Sequence, residues 1–170
     1  MADIMNSCYY KEKLPRYHEE IADGTRQVVN LYMARQVVKT LMEKYDTNIV
    51  IAHNAGFDSR AMNNTQRYIT KSAYRYFLPY GTEIWDTLKM ANDTICKQKT
   101  YIRWSEKNGY MTNHATPRPR ATAEILYRYI SGEDNFIESH TGLEDVMIEK
   151  EIFAKCMAQH KPMRKKLFEN

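Results

Sequence analysis

Three side chains in this sequence have the types and positions needed for acid-base or metal chemistry. Asp58 ends the polar segment 53–58, which follows the apolar run 48–52. An apolar, β-branched run that leads into polar residues, a glycine and a carboxylate predicts that Asp58 lies just past the carboxyl end of a strand. Open α/β sheets place their ligands there. The other two side chains, His140 and Asp145, lie near the start of a strongly periodic segment.

The spacing around the second pair predicts the start of a helix. Thr141 and Glu144 have the spacing of a capping box, so Thr141 is the predicted N-cap and Asp145 falls one turn inside the helix. The residue before an N-cap and the fourth helical residue lie close together. His140 and Asp145 are therefore expected to face a common point, where an imidazole meets a carboxylate.

These two segments resemble motifs of the DEDDh exonucleases, a family of the ribonuclease H-like superfamily that includes the proofreading subunits of polymerases. The family's His-Asn-x-x-Phe-Asp block matches residues 53–58, and its His-x4-Asp motif matches His140 and Asp145. Residues 85–91 are similar to the strand-to-helix junction between those motifs, so the resemblance covers about residues 25–160. It implies an α/β, ribonuclease H-like exonuclease fold with a small sheet flanked by helices.

The resemblance also implies a reaction and its residues. Asp58 and Asp145 would bind Mg²⁺ or Mn²⁺, and His140 would be the general base that takes a proton from the attacking water. Contacts to the nucleic acid would come from the rest of the first block: His53, Asn54 and Phe57. The implied activity is 3′ to 5′ hydrolysis of single-stranded DNA or RNA. The simpler interpretations are an exposed helix acid for Asp145 and local backbone hydrogen bonds for the residues that open the block.

One motif of the family is missing. Family members begin with a strand that carries Asp-x-Glu, and no such pair follows an apolar strand here. Residues 1–24 resemble the segment after the family's opening strands, so we expect an N-terminally truncated fold without the first three strands. Two divalent cations about 4 Å apart each need several oxygen ligands. Asp58 and Asp145 alone therefore predict one weakly held cation, with further carboxylates supplied by a partner chain or a separately encoded segment.

A second class of function is consistent with the same sequence. Without the missing carboxylates, the chain would be a catalytically inactive module that binds nucleic acid or inhibits another protein. Residues 76–86 and 122–132 are similar to segments of exonuclease-like proteins from bacteriophages of Gram-positive bacteria. That similarity implies a role in phage DNA metabolism or against a host defence.

A basic and aromatic segment follows the first motif. Its cations occur with no acid between them: Arg60, Arg67, Lys71 and Arg75. Aromatic side chains are interleaved with them: Tyr68, Tyr74, Tyr76 and Phe77. This mixture is typical of surfaces that bind a single strand, because cations contact phosphates and rings stack on bases. We predict strand binding by Arg67, Lys71 and Arg75, while the same pattern also fits an amphipathic helix whose rings face the core.

The composition indicates a compact single domain. The chain has 170 residues, of which 43% are hydrophobic and 27% charged, and a net charge of +4. We expect one domain over 1–170, with an N-terminal arm at 1–24, a core at 25–160 and a solvated basic tail at 161–170. The sequence has no apolar run of membrane-spanning length. It has three widely spaced cysteines. These features favour a cytoplasmic protein with reduced thiols, in the host cytoplasm if a phage encodes it.

Hydrophobic periodicity predicts mostly helices around a small sheet. Helices are expected at about 25–45, 60–76, 86–97, 100–108, 121–130 and 142–159, with strands at 48–52 and 82–85 and a loop at 109–120. Apolar residues of the first helix are spaced to line one face: Val28, Leu31, Tyr32, Val38, Leu41, Met42 and Tyr45. Loss of the family's first strand would leave the strand at 48–52 with an open edge, so we expect a homodimer or a protein partner there.

Overall fold

The computed structural model describes residues 11–71 and 73–168 of the chain. Over these residues the protein is mixed α/β and mostly helical, with two parallel strands. The elements in chain order are α1 (Leu14–Ala22), α2 (Leu31–Lys44), β1 (Ile49–Ala52), α3 (Ala55–Ile69), β2 (Glu83–Asp86), α4 (Thr87–Asp93), a 3₁₀ turn (Ile95–Lys97), α5 (Lys99–Lys107), α6 (Ala123–Ser131) and α7 (Gly142–Met157). The predicted α/β class is confirmed, whereas the ribonuclease H-like fold stays a prediction.

The two strands place the predicted site segment 53–58, which follows β1, beside the end of β2 at one edge of the sheet. β1 is a short apolar run that pairs in parallel with β2, with Ile49 beside Glu83 and Ala52 beside Asp86. Parallel strands point their carboxyl ends the same way, so the chain leaves β1 and β2 side by side. α3 and α4 both begin at this edge.

The carboxyl-terminal segment also pairs with the sheet, so it is not the fraying end that the sequence predicts, although most of its basic side chains are exposed as expected. The carbonyl of Lys165 and the N–H of Leu167 form hydrogen bonds of 2.8 and 2.7 Å with the backbone of β2. Arg164 donates three more to the carboxylate of Asp93, two from its guanidinium at 2.8 and 3.1 Å and one from its backbone N–H at 3.0 Å. These hold the pKa of that carboxyl well below its usual range. The described part of the tail is therefore attached along the free side of β2.

The main hydrophobic core lies between α4, α5, α6 and α7. Its fully buried side chains include Met90, Ile95, Tyr101, Leu126, Ile152 and Cys156. A smaller cluster lies between the sheet, α2 and α3: Met42, Phe77 and Leu78 are buried, and Leu31, Val38, Val50, Met62 and Ile84 pack against them. The large core thus supports α7, which carries one of the predicted motifs.

Helix α2 does not bury the apolar face that its sequence predicts. Of the seven apolar residues predicted for that face, Met42 is buried, and Leu31 and Val38 are partly buried. The other four are exposed, by 79, 63, 46 and 67% in chain order: Val28, Tyr32, Leu41 and Tyr45. The physical reason is the small sheet, because in the described part of the chain β1 pairs with β2 alone and α2 has little to cover.

Helix α3 lies earlier in the chain than the predicted helix at 60–76. It starts directly after Asn54, and it ends at Ile69, beyond which the hydroxyl of Thr70 donates to the carbonyl of Gln66. Lys71 then adopts a positive φ of 51°, which breaks the helical run. Periodicity alone could not show either boundary.

Helix α2 begins at Leu31, six residues after its predicted start at 25, because the side chain of Asn30 caps it there. The helices from α4 onward and the loop at 109–120 agree with the predictions to within about four residues. Gly109 and Gly132 have φ of 73° and 76° and end α5 and α6 as helix C-terminal glycines do. The loop is closed by a bridge between Met111 and Pro119. Cys96 and Cys156 are buried free thiols, and Cys8 lies outside the described residues, as does the predicted arm before residue 11. None of the described helices has the length and hydrophobicity needed to span a membrane.

Candidate functional site

The carboxyl edge of the sheet opens into a cleft of about 840 Å³. Its walls come from the β1–α3 junction, the segment before α6, the loop before α7 and the first turns of α7. The polar side chains that line it are His53, Asn54, Asp58, Thr112, Arg120, Thr122, Glu138, His140, Asp145 and Glu149. Every residue that the two sequence motifs predicted for the site lies in this one cleft, with Phe57 at its margin.

His53 is held in place by three hydrogen bonds. Its N–H donates to Oε1 of Glu149 at 3.0 Å, and its Nδ1 lies 3.0 Å from the hydroxyl of Thr87. Its Nε2 lies 2.8 Å from the carbonyl oxygen of Ala121. Because a carbonyl can only accept, Nε2 carries the proton and Nδ1 accepts from the hydroxyl. Burial lowers the pKa of this imidazole, although the carbonyl and Asp86 act in the opposite direction. The ring of His53 is therefore a neutral positioning group.

Asp86, the last residue of β2, fixes the first turns of two helices. Its buried carboxylate accepts from the N–H of Leu88 at 2.9 Å and from the N–H of Asn54 at 3.0 Å. Asn54 has a φ of 61°, a left-handed conformation that asparagine adopts more readily than most residues. This turn starts α3 at Ala55 and places Asp58 in the first helical turn. From the sequence, Asp86 was only a helix start, because its contact with Asn54 depends on strand pairing.

Glu138, His140 and Asp145 form a compact cluster of candidate ligands. One ligand atom from each of these side chains lies within 4.8 Å of the other two. The predicted meeting of His140 with Asp145 is confirmed, and Oε2 of Glu138 lies 3.7 Å from Nδ1 of His140. The predicted capping box is wrong. Thr141 is the N-cap of α7, but its hydroxyl lies 3.2 Å from that of Ser139 and makes no capping bond.

Contacts with α6 and with Lys13, the residue before α1, fix the backbone conformation of the loop that carries Glu138 and His140. The N–H of Glu138 donates to one oxygen of Glu124 at 3.1 Å, and Arg128 donates to the other at 2.6 Å. His140 has a positive φ of 52°, and its carbonyl accepts from Nζ of Lys13 at 2.8 Å. The loop is thereby held in a conformation that directs Glu138 and His140 toward α7.

Glu149 is a further carboxylate of the cleft that sequence reasoning missed. It lies one turn after Asp145 on α7, and residues four apart share a helix face. The spacing of these two acids was therefore an available signal. Glu138 offered none, because it lies in an irregular loop whose path follows from contacts with α6.

Three carboxyls of the cleft have raised pKa values: Asp58, Glu138 and Glu149. For Glu149, burial is the main cause of the raised pKa, and Asp58, Asp145 and Glu138 add to it. Burial also raises the pKa of Glu138, which His140 lowers and Asp145 raises. The pKa of Asp58 is raised as well, chiefly by partial burial. Negative charge concentrated in this way favours a bound cation.

The donor set fits a hard divalent cation. Carboxylate oxygens are the preferred ligands of Mg²⁺ and Mn²⁺ in proteins. Oδ1 of Asp145 is buried and has no hydrogen-bond partner among the described residues, although a buried carboxylate oxygen ordinarily has one. A cation bound beside Asp145 would satisfy that oxygen.

The predicted nucleic-acid residues separate into two groups. Phe57 is 63% exposed at the margin of the cleft. Arg67 is exposed near the far end of α3, roughly 15 Å from Phe57 at a rise of 1.5 Å per residue, and Lys71 is exposed two residues past the end of the helix. Arg75 is exposed but lies beyond the end of the helix. The structure therefore does not bring the basic residues into the cleft itself.

The alternative interpretation of the basic segment, a core-facing aromatic stripe, is wrong for most of its rings. Tyr68, Tyr74 and Tyr76 are 75, 37 and 62% exposed. Phe77 is buried in the smaller cluster. Three rings are therefore at the surface near the cations, although the guanidinium of Arg35 lies 4.5 Å over the ring of Tyr74.

Comparisons of the chain with protein-family models, with curated proteins and with solved structures found no match in any of the three.

Proposed function

We propose that the protein is a metal-dependent hydrolase that cleaves single-stranded nucleic acid from its 3′ end. The observation that carries the proposal is the cluster of Glu138, His140 and Asp145 in the cleft, with Asp58 and Glu149 beside it. Carboxylates and an imidazole around an open cavity supply the ligands and the base that hydrolysis of a phosphodiester needs. The 3′ to 5′ direction follows from the resemblance to DEDDh exonucleases.

The carboxylates of the cleft would hold Mg²⁺ or Mn²⁺. These residues are Asp58, Glu138, Asp145 and Glu149. The bound cation would neutralise the charge of the phosphate and orient it. Glu138 and Glu149 would stand in for the Asp-x-Glu pair that the chain lacks, because both are already in the cleft. Ligands from this chain would then complete a site that two aspartates alone leave under-ligated.

His140 is the proposed general base. Its side chain is 45% exposed, so the imidazole is accessible to a water molecule that attacks the phosphorus. Glu138 lies beside Nδ1, where a carboxylate stabilises the imidazolium that forms when His140 takes the proton. His53 cannot serve instead, because both of its ring nitrogens are used inside the protein.

A single strand would approach the cleft along α3. Phe57, Arg60, Asn64 and Arg67 are exposed and lie three or four residues apart, which puts them on one side of the helix, and Lys71 is exposed two residues past its end. In this proposal Phe57 stacks on a base near the cleft, and the cations contact phosphates farther along. The helix rises about 15 Å from Phe57 to Arg67 at 1.5 Å per residue, which is enough for a few nucleotides.

A binding module without catalysis is the second candidate. The separation of the exposed Arg67 and Tyr68 from the cleft favours it, because strand binding there does not require a working cleft. Such a module would bind nucleic acid or inhibit another protein, for example one of a host defence system. For either function we propose the cytoplasm as the compartment, that of the host cell if a phage encodes the chain.

The test is degradation of a 5′-labelled single-stranded oligonucleotide by the purified chain with Mn²⁺. We expect a ladder that shortens from the 3′ end, and a rate at least about 100-fold lower for His140→Ala, because general-base catalysis contributes that much. His114→Ala is the matched control, since His114 is an exposed loop histidine outside the cleft residues, and it should leave the rate unchanged.

Two results would contradict the nuclease proposal. Equal degradation by the wild-type chain and by His140→Ala would assign the activity to another site or to a contaminant. Retained binding of the oligonucleotide without cleavage would favour the binding module.

A further inference from the structure

Helix α2 carries an apolar stripe that the described chain leaves uncovered. Its members recur every four residues: Met33, Val37 and Leu41 lie on the helix, Tyr45 is its C-cap, and Val29 lies just before its N-cap. In chain order from Val29 to Tyr45 they are 46, 47, 51, 46 and 67% exposed. Val28 and Tyr32 adjoin the stripe and are 79 and 63% exposed. Single exposed apolar residues are ordinary on protein surfaces, but a continuous stripe along a whole helix marks an interaction site.

The stripe lies to one side of the face that α2 buries. Val38 and Met42 pack toward the sheet in the smaller cluster. Val37 and Leu41 each precede one of them, which places the stripe about 100° around the helix. β1 follows α2 in the chain and, among the described strands, pairs with β2 only. The stripe and the free edge of β1 are thus two unpartnered surfaces on neighbouring elements.

The area of the stripe matches one side of a stable dimer interface. From their exposed fractions, the seven side chains present on the order of 700 Å², close to the roughly 800 Å² that each partner contributes to a standard interface. Burial of apolar area on this scale is the main favourable contribution to association.

The stripe is also complementary to itself. If two copies of α2 pack antiparallel about Val37, Met33 faces Leu41 of the other copy, and the helix end beside Val29 lies next to the end that carries Tyr45. Lys44, the charged residue nearest the stripe's end, then faces the neutral Asn30. On the stripe side of α2 no like charges meet, because Arg35 and Lys39, which are also symmetric about Val37, lie on the opposite side of the helix.

We propose that the stripe on α2 is a twofold interface that joins two copies of this chain. The copies pack with antiparallel α2 helices centred on Val37, and each covers the other's exposed apolar side chains. This inference does not depend on the proposed nuclease activity.

The first test is the molar mass of the chain by light scattering between about 1 and 100 µM. We expect the mass to reach twice the 20.1 kDa of one chain. Val37→Glu should restore the single-chain mass while its circular dichroism stays unchanged. Val146→Glu is the matched control, because Val146 is a 57% exposed valine on another helix, and it should remain dimeric. A wild-type chain that stays monomeric at 100 µM, or a Val37→Glu variant that stays dimeric, would overturn the proposal.

The second test measures the register by disulfide formation in a Cys8→Ser background, where Cys96 and Cys156 are buried. Val37→Cys should crosslink with itself, because the twofold axis passes beside it. Met33→Cys and Leu41→Cys should crosslink only when the two variants are mixed. Self-crosslinking of Met33→Cys as fast as in the mixture would contradict the antiparallel register.

Discussion

At the level of single residues, the cleft is defined by carboxylates that crowd one another. Glu149 shows this most clearly, because it accepts from the backbone of His53 while Asp58, Asp145 and Glu138 all raise its pKa. A group whose folded pKa lies above its unfolded value costs stability when it is ionised. That cost is absent at low pH and grows as the pH rises through the interval between the two values.

We therefore predict that Glu149→Gln stabilises the metal-free chain at neutral pH. The glutamine oxygen can still accept from His53, so the main change is the loss of a charge that its neighbours repel. The gain should shrink as the pH falls toward the ordinary glutamate pKa near 4.5, where Glu149 itself becomes neutral.

Chemical denaturation of both proteins in a chelator, at several pH values, measures this difference. Glu144→Gln is the control, because Glu144 is an exposed acid of the same helix. A Glu149→Gln variant that is less stable than the wild-type chain at pH 7, or a difference that does not change with pH, would contradict the prediction.

Some residues of the cleft could be predicted from the sequence, and others could not. Asp58, His140 and Asp145 could be predicted, because a strand end and a helix start have local signatures. Glu138 could not, because its position follows from hydrogen bonds with α6 that no local pattern records. The ring of His53 was assigned to nucleic acid, but its neighbours Thr87 and Ala121 come close only in the folded chain.

At the level of elements, α3 connects the cleft to the basic surface. It begins beside Asp86 with Asp58 in its first turn, and its exposed side carries Arg67 toward the other end. Its existence follows from periodicity, but its boundaries depend on a left-handed Asn54 and on Lys71 with positive φ. Arg75 therefore belongs to extended chain and not to the helix.

We predict that replacing Arg67, Lys71 and Arg75 with alanine weakens binding of a single-stranded oligonucleotide and flattens its salt dependence. Each lost phosphate contact removes about 0.7 from the slope of log K against log salt, so three contacts remove about 2. The measurement is fluorescence anisotropy of a labelled oligonucleotide over a range of salt concentrations.

The matched control removes three exposed cations from α5, namely Lys99, Arg103 and Lys107. This control lowers the net charge by the same amount and should change the slope by much less. An equal effect of both triple variants would mean that binding follows net charge and not the surface of α3.

The carboxyl-terminal segment and helix α2 both have tertiary contacts that local sequence patterns did not predict. The segment at 165–167 pairs with β2, which lies about 80 residues earlier, and nothing in its basic sequence indicates a strand. Helix α2 was predicted from its apolar spacing, but that spacing could not show how much of the face the small sheet would cover. The part of the apolar face that the sheet leaves uncovered is the proposed dimer interface.

At the level of the whole molecule, the site exists only when distant segments meet. Residues 53–58, the loop before α7 and α7 itself contribute the carboxylates, while β2 and α6 hold them in place. The α/β class and the order of most elements follow from hydrophobic periodicity. The cleft does not, because it depends on how α7 packs against α4 and α6 in the main core.

We propose that these carboxylates bind a divalent cation, and titration calorimetry with Mn²⁺ measures that binding. We predict saturable binding by the wild-type chain that the double substitution Asp58→Asn with Asp145→Asn abolishes. The control Asp134→Asn, at a loop position outside the cleft residues, should bind as the wild type does. Unchanged binding by the double variant, or no binding by the wild-type chain at millimolar Mn²⁺, would contradict the account.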